Sequence, residues 1–141
     1  MNGAKAFFDT NILLYMYGGA DLAKQARARE LFQQYTHSSR MLLSTQVVQE
    51  LYAAGSRKLR MPRRELRDVV AKLLELPLVV VGPAQIMSAI QTEERYKISF
   101  WDALILAAAE SGGADVLYTE DLNHGQQYGS VTVRNPFREP L

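Results

Sequence analysis

Short apolar runs and longer amphipathic segments alternate along the chain. The runs have the length, and several have the β-branched content, that are typical of buried strands. They lie at residues 5–8, 41–43, 78–81, 116–118 and 131–134. Runs of this kind are expected in a parallel sheet whose two faces are covered by helices.

The segments between these runs have helical periodicity and helix-end signals. Apolar residues recur every three or four positions, and Pro62 and Pro83 suit the first turn of a helix. Glycine pairs at 18–19 and 112–113 end two of the segments. The predicted helices cover residues 12–17, 21–35, about 44–59, 62–76, 83–97 and 99–111.

The resulting order is β-α-α-β-α-α-β-α-α-β-β, which predicts an α/β fold with three layers, α/β/α. The central sheet should be mainly parallel and contain four to five strands. No repeat, linker or low-complexity tract divides the sequence. A chain of 141 residues can bury about 70% of its unfolded surface, so we expect a single domain over residues 1–141.

Composition narrows the class of protein only slightly. The chain has 16 Lys+Arg and 15 Asp+Glu, a balance that neither indicates nor excludes a nucleic-acid partner. It has no cysteine, which excludes disulfides, thiolate nucleophiles and cysteine-based zinc sites and is compatible with a reducing compartment. No signal-peptide segment fits before Asp9, and the longest apolar run, 103–109, is far shorter than the ~20 residues of a membrane span. We therefore expect a soluble, cytoplasmic protein that is not associated with a membrane.

Four acids fall near the same edge of the predicted sheet. Asp9 directly follows the first strand, and Asp121 follows the fourth by three residues. Glu50 lies in the second turn of the helix after the second strand, and Asp102 lies in the first turn of the helix that Ser99 begins. Ligands of open parallel sheets bind outside the carboxyl ends of the strands, so the four carboxylates are predicted to face one site.

Such a cluster has a clear chemical implication. Neighbouring carboxylates repel one another and raise each other's pKa unless a cation is present. Ligand sets made only of oxygen suit Mg²⁺ or Mn²⁺, which also bind phosphate. A metal of this kind lowers the pKa of a bound water and stabilises charge on the phosphate. The pattern therefore favours hydrolysis of phosphodiester bonds.

Each acid also has a purely structural interpretation. Asp9 can cap the following helix, and Ser99 with Asp102 matches a capping box. Glu50 can be an ordinary surface residue of its helix, and Asp121 can be a turn former. Spacing alone leaves these alternatives open.

At these positions the sequence resembles the PIN domain, and more closely the VapC-like toxins of bacterial toxin–antitoxin pairs. The resemblance spans nearly the whole chain, and its motifs occur in the order of the family. They are Phe8-Asp9-Thr10-Asn11, Gln49-Glu50-Leu51, Ile98-Ser99-Phe100-Trp101-Asp102-Ala103 and Leu117-Tyr118-Thr119-Glu120-Asp121-Leu122. The resemblance implies a PIN-like fold, a Mg²⁺- or Mn²⁺-dependent endoribonuclease activity on RNA, inhibition by a cognate antitoxin, and a homodimer.

The resemblance also assigns roles by position. The acids that match the catalytic, metal-binding site of the family are Asp9, Glu50, Asp102 and Asp121. The polar residues that match the positions orienting those acids are Asn11, Ser99 and Thr119. Glu120 competes with Asp121 for the fourth acid position. Because successive side chains alternate in direction, only one of the two should point inward, and we favour Asp121.

A basic segment and a histidine remain as secondary candidates. The segment holds Arg57, Lys58, Arg60, Arg63, Arg64 and Arg67. It is either an RNA-binding surface, which would make binding salt-dependent, or a solvated helix face interrupted by Glu65 and Asp68. His124 can contact phosphate or assist proton transfer, but no partner is evident and a surface-loop role is favoured.

Two other functions are less consistent with the sequence. Phosphatases that use an aspartate nucleophile carry D-x-D after the first strand, where this chain has Asp9-Thr10-Asn11. A receiver domain has its phospho-accepting aspartate after the third strand, where this chain has Gly82-Pro83. A non-catalytic module that binds RNA or a partner stays possible, although all four acid positions are intact.

Overall fold

The computed structural model describes residues 3–138 of the chain. Within that range it contains six strands and six helices. The strands are β1 (Ala6–Phe8), β2 (Met41–Ser44), β3 (Leu78–Val79), β4 (Val116–Tyr118), β5 (Gln127–Tyr128) and β6 (Val131–Arg134). The helices are α1 (Thr10–Tyr17), α2 (Leu22–His37), α3 (Thr45–Lys58), α4 (Arg63–Leu73), α5 (Pro83–Tyr96) and α6 (Phe100–Ser111).

The strands form one sheet in the order β3-β2-β1-β4-β6-β5. Neighbouring strands are parallel except for β5 and β6, which pair antiparallel. The predicted α/β class and mainly parallel sheet are therefore confirmed. The predicted strand number was too low, because β5 has only two residues and no apolar run marks it. The strand predicted at 78–81 is also shorter, since pairing with β2 ends at Val79.

The strand order reverses direction at β1. The chain moves outward from β1 to β2 and β3, then crosses back to place β4 on the other side of β1. Since crossovers between parallel strands are right-handed, α1 to α4 cover one face of the sheet and α5 and α6 the other. Helix contacts agree, because α1 packs on α2 and α3 whereas α5 packs on α6. A ligand is expected at the reversal point, beyond the carboxyl ends of β1 and β4.

The core fixes these two central strands firmly. Phe7, Phe8 and Leu117 are fully buried, and the rings of Phe8 and Tyr118 meet edge to face with centroids 5.4 Å apart. Such aromatic pairs contribute about 1 kcal/mol beyond the area that they bury. The ends of β1 and β4 are therefore held in a defined relative position.

A glycine permits close packing where α3 meets α4. A Cβ atom at Gly55 would approach Leu66 Cδ1 to 2.8 Å, which is closer than real contacts allow. Leu66 is buried at this contact. The C-terminal end of α3, which carries Arg57 and Lys58, is thereby anchored. No helix in residues 3–138 combines the length and the apolar character that crossing a membrane requires.

Candidate active site

Asp9 joins the end of β1 to the start of α1. Its backbone N–H donates to the carbonyl of Tyr118 at 3.0 Å, which ties it to the end of β4. Its carboxylate accepts from Thr10 N at 2.7 Å as the N-cap of α1 and from Thr119 Oγ1 at 2.8 Å. With 7% of its surface exposed, Asp9 is a buried carboxylate held from two sides.

Asp102 lies in the first turn of α6. Ser99 is the N-cap of this helix, and its hydroxyl oxygen accepts from Asp102 N at 3.1 Å. The serine half of the predicted capping box is therefore present. The cap uses the backbone N–H of Asp102 and leaves its half-buried carboxylate to face the other acids.

The structure separates Glu120 from Asp121. Glu120 forms an ion pair with Lys24 at 2.7 Å and accepts from the Tyr15 hydroxyl at 2.7 Å. Asp121 is fixed through its backbone N–H, which donates to Thr119 Oγ1 at 3.0 Å. The two side chains therefore have different surroundings, and Asp121 is the one that joins Asp9.

One carboxylate oxygen from each of Asp9, Asp102 and Asp121 lies within 4.8 Å of the other two. Glu50 is outside this trio but lines the same pocket, which has a volume of about 310 Å³. Its Oε1 accepts from Thr10 Oγ1 at 2.6 Å. The pocket is lined by Asp9, Thr10, Asn11, Leu14, Gln46, Glu50, Ala53, Ala54, Arg57, Lys58, Trp101, Asp102, Ile105 and Asp121.

Burial and mutual repulsion raise the pKa values of two of these acids. The pKa of Asp9 rises from 3.8 to about 7, chiefly because burial removes water from its charged form. Hydrogen bonds from Thr119 and Thr10 lower it, while the charges of Asp121 and Asp102 raise it further. Burial also raises the pKa of Asp102. A hydrogen bond with the Ser99 side chain lowers this pKa, and the charges of Asp121 and Glu50 raise it further.

These carboxylates fit a divalent cation. Mg²⁺ binds oxygen ligands at about 2.0–2.1 Å in an octahedron, so its ligands are about 2.9 Å apart on adjacent positions and about 4.2 Å apart on opposite ones. Oxygens that already lie within 4.8 Å of one another need to move closer by about 2 Å at most to reach these spacings. A cation would also relieve the repulsion that raises the two pKa values.

The other predicted site residues lie in the pocket, on the surface beyond it, or in the loop after β4. Asn11, Arg57 and Lys58 line the pocket. Arg60, Arg63 and Arg64 are exposed and are not among the lining residues. His124 is exposed in the loop after β4, where its Nδ1 accepts from Asn135 N at 2.9 Å, in keeping with a role in the surface loop.

Apart from the aliphatic lining residues, sequence reasoning missed three side chains of the pocket, Thr10, Gln46 and Trp101. Gln46 and Arg57 share the face of α3 that carries Glu50, and this helical spacing was the signal that could have found Gln46. Gln46 is buried, its Nε2 donates to the Trp101 carbonyl at 3.4 Å, and its Oε1 has no partner within the described range. Neither the contact of Thr10 with Glu50 nor the exposure of Trp101 could be read from spacing.

Comparison with known families agrees with this fold. The family model of the PIN domain matches residues 6–128. The chain belongs to the PIN domain family. No curated protein sequence matches it.

Several solved structures share the fold. One is a toxin–antitoxin complex from Klebsiella pneumoniae, with 20% identity, a TM-score of 0.69, and coverage of 94% of this chain and 98% of that chain. DNA-bound VapBC from Salmonella typhimurium has 21% identity, a TM-score of 0.69, and the same two coverages, 94% and 98%. VapC20 of Mycobacterium tuberculosis, a toxin that cleaves the sarcin–ricin loop, has 19% identity and a TM-score of 0.65 over 83% of this chain and 90% of that chain.

Proposed function

We propose that this protein is a Mg²⁺- or Mn²⁺-dependent endoribonuclease, with residues 1–141 forming a single nuclease domain. The observation that supports this most strongly is the trio of Asp9, Asp102 and Asp121, whose oxygens lie within 4.8 Å of one another. Two cationic side chains, Arg57 and Lys58, line the same pocket. Acids that bind a metal and cations that bind phosphate are the groups that cleavage of a phosphodiester requires.

Each part of the pocket has a defined task in this proposal. Asp9, Asp102 and Asp121 hold the metal, which when bound supplies an activated water and stabilises charge on the phosphate. Thr119 and Ser99 orient these acids through the hydrogen bonds described above. Glu50, held by Thr10, can accept a hydrogen bond from the attacking water. Asn11 also lines the pocket, where it can contact the substrate or a coordinated water.

The basic side chains guide the RNA backbone. Arg57 and Lys58 line the pocket and contact the phosphates nearest the scissile bond. Arg60, Arg63 and Arg64 lie farther out and extend the positive surface. Replacing these three by alanine should weaken RNA binding and flatten its salt dependence. Unchanged binding at every salt concentration would exclude these outer residues from the interface.

The decisive experiment is cleavage of RNA by the purified protein in Mn²⁺ or Mg²⁺. EDTA, Asp9→Asn and Asp102→Asn should each abolish cleavage. Asp115→Asn is the matched control. Asp115 is exposed and directly precedes β4, so it lies at the amino ends of the parallel strands, whereas the pocket lies at their carboxyl ends. Cleavage that persists in the Asp9 and Asp102 variants would refute the proposed site. RNA binding without cleavage by a folded, metal-loaded protein would favour a non-catalytic module.

We further propose that the protein is the toxin of a type II toxin–antitoxin pair and acts in the cytoplasm as a homodimer. The shared fold with a toxin–antitoxin complex and with VapC20 supports this biological role. A cognate antitoxin would carry an Arg or Lys that engages the carboxylates of the pocket.

Expression of the protein alone should arrest growth, and co-expression of the adjacent small reading frame should relieve that arrest. Toxicity that the neighbouring product does not relieve would count against the pairing. Light scattering of the purified protein tests the dimer, and a monomer mass at all concentrations would exclude it.

A further inference from the structure

Trp101 presents an exposed aromatic ring at the pocket. It is the only tryptophan in the chain, and 63% of its surface is exposed. It lines the pocket together with the carboxylates. It has no part in the cap of α6, which Ser99 provides. Core packing and helix capping therefore do not account for a tryptophan at this position.

The neighbours of Trp101 hold it in place. Its ring meets that of Phe100 edge to face, with centroids 5.2 Å apart and planes at 78°. Its carbonyl accepts from Gln46 Nε2 at 3.4 Å, which links the first turn of α6 to the start of α3. An aromatic ring ordered in this way loses little conformational entropy when a ligand stacks on it.

The chemistry of the pocket changes along α3. Trp101 adjoins Gln46 near the start of the helix, Glu50 comes one turn later, and Arg57 and Lys58 lie at the far end. Gln46 and Arg57 are about 16 Å apart along a helix that rises 1.5 Å per residue. Consider an RNA strand whose phosphates bind Arg57 and Lys58 and whose backbone runs past the carboxylates. The next bases of that RNA would lie at Trp101.

We propose that the indole of Trp101 stacks on an unpaired base of the RNA strand next to the scissile phosphate. Unpaired bases are recognised by stacking on aromatic side chains. The charge pattern favours RNA over a protein as the occupant, because cations that suit phosphates line the same pocket. This proposal rests on the proposed ribonuclease function and adds a base-binding position to its active site.

Intrinsic fluorescence provides a direct test, since Trp101 is the only tryptophan. Addition of a single-stranded oligoribonucleotide in EDTA should quench the emission and saturate together with the anisotropy of a labelled RNA. A duplex of the same length should quench much less, because its bases are already stacked. Abasic substitutions moved stepwise along the oligonucleotide should locate the base that quenches.

Variants test whether the aromatic face is what matters. Trp101→Leu should weaken binding of single-stranded RNA by about 5- to 150-fold, the range expected for one base–aromatic stack. Trp101→Phe should restore most of the affinity. Tyr52→Leu is the control, because Tyr52 is an exposed aromatic of α3 that does not line the pocket. In cleavage assays the Trp101→Leu protein should show a raised KM with a smaller change in kcat.

Several results would overturn the proposal. Equal RNA affinity for the wild type and Trp101→Leu would do so, as would saturating binding without quenching. Loss of binding to the antitoxin alone, with RNA affinity intact, would identify Trp101 as a protein-contact residue instead. A wild-type protein that neither binds nor cleaves RNA would refute the proposed function itself, and the stacking proposal with it.

Discussion

Asp9→Asn should stabilise the metal-free protein at pH 8 while abolishing metal-dependent activity. The substitution keeps the shape of the side chain and removes its charge. Asparagine is as good an N-cap as aspartate, so the bond from Thr10 N can persist. Thr119 Oγ1 can accept from the new amide instead of donating to a carboxylate. The main energetic change is therefore the loss of a buried negative charge beside Asp102 and Asp121.

The magnitude follows from the pKa of Asp9, which is 3.8 for a free side chain and about 7 in the folded protein. Between these values the folded state keeps a proton that the unfolded state has lost. The free energy of unfolding therefore decreases as pH rises from about 4 to about 7, and the loss is complete above pH 7. At about 1.4 kcal/mol per pKa unit, the full cost to the wild type is on the order of 4 kcal/mol.

The assay is urea unfolding of both proteins in EDTA at pH 5 and pH 8. The wild type should lose about 2.5 kcal/mol between these pH values through Asp9, and Asp9→Asn should not show this loss. At pH 8 the variant should melt about 10 °C higher, given roughly 2–4 °C per kcal/mol for a chain of this size. Mn²⁺ should stabilise the wild type by binding to the folded state and should have little effect on the variant.

Two outcomes would refute this reasoning. If Asp9→Asn and the wild type lose the same stability between pH 5 and pH 8, Asp9 does not carry the buried charge. If the variant is less stable than the wild type at pH 8, the hydrogen bonds of the carboxylate outweigh its desolvation. Asp115→Asn, an exposed substitution, should follow the wild type at both pH values.

Three further variants test the side chains that support the pocket. Thr119→Val removes the hydroxyl that donates to the Asp9 carboxylate and accepts from the Asp121 backbone N–H. It should cost about 1–3 kcal/mol in urea unfolding, with cleavage rescued by Thr119→Ser. Arg57→Ala combined with Lys58→Ala should reduce the log–log salt slope of single-stranded RNA binding by about 1.4, or about 0.7 per lost phosphate contact; an unchanged slope would argue against the contact. Lys24→Met removes the ion-pair partner of Glu120 and should lower the single-turnover rate constant of cleavage several-fold. Its stability cost should stay below about 1 kcal/mol, and an unchanged rate constant would show that this ion pair does not position the adjacent acid.

Most of the fold follows from local patterns in the sequence. Apolar runs and helix-end signals located five strands and six helices, because each of these elements buries a continuous face or begins and ends at a recognisable residue. β5 was not predicted, because Gln127 is exposed and only Tyr128 is buried, so the strand has no apolar run. Its pairing with β6 depends on the position of β6 in the sheet rather than on any pattern of its own.

The site was predictable to the extent that it depends on strand ends. Asp9 and Asp121 follow β1 and β4, which are neighbours in the sheet, so placing them together required only the topology. The surroundings of Glu120 required tertiary structure, because its partners Lys24 and Tyr15 come from α2 and α1. The expectation that only one of Glu120 and Asp121 points inward is in keeping with their different partners, although the two residues follow the end of β4 and do not belong to a strand.

The structural and functional interpretations of these acids prove to be compatible rather than exclusive. Asp102 takes part in the cap of α6 through its backbone N–H, so its carboxylate is still available to the cluster. Asp9 caps α1 through Oδ1 and accepts from Thr119 through Oδ2, yet a carboxylate has about four lone-pair sites. Two therefore remain for a cation, in an orientation that the cap and the threonine already fix. A capping pattern at the end of a parallel strand is thus no argument against a catalytic role, because the cap can hold the ligand in place.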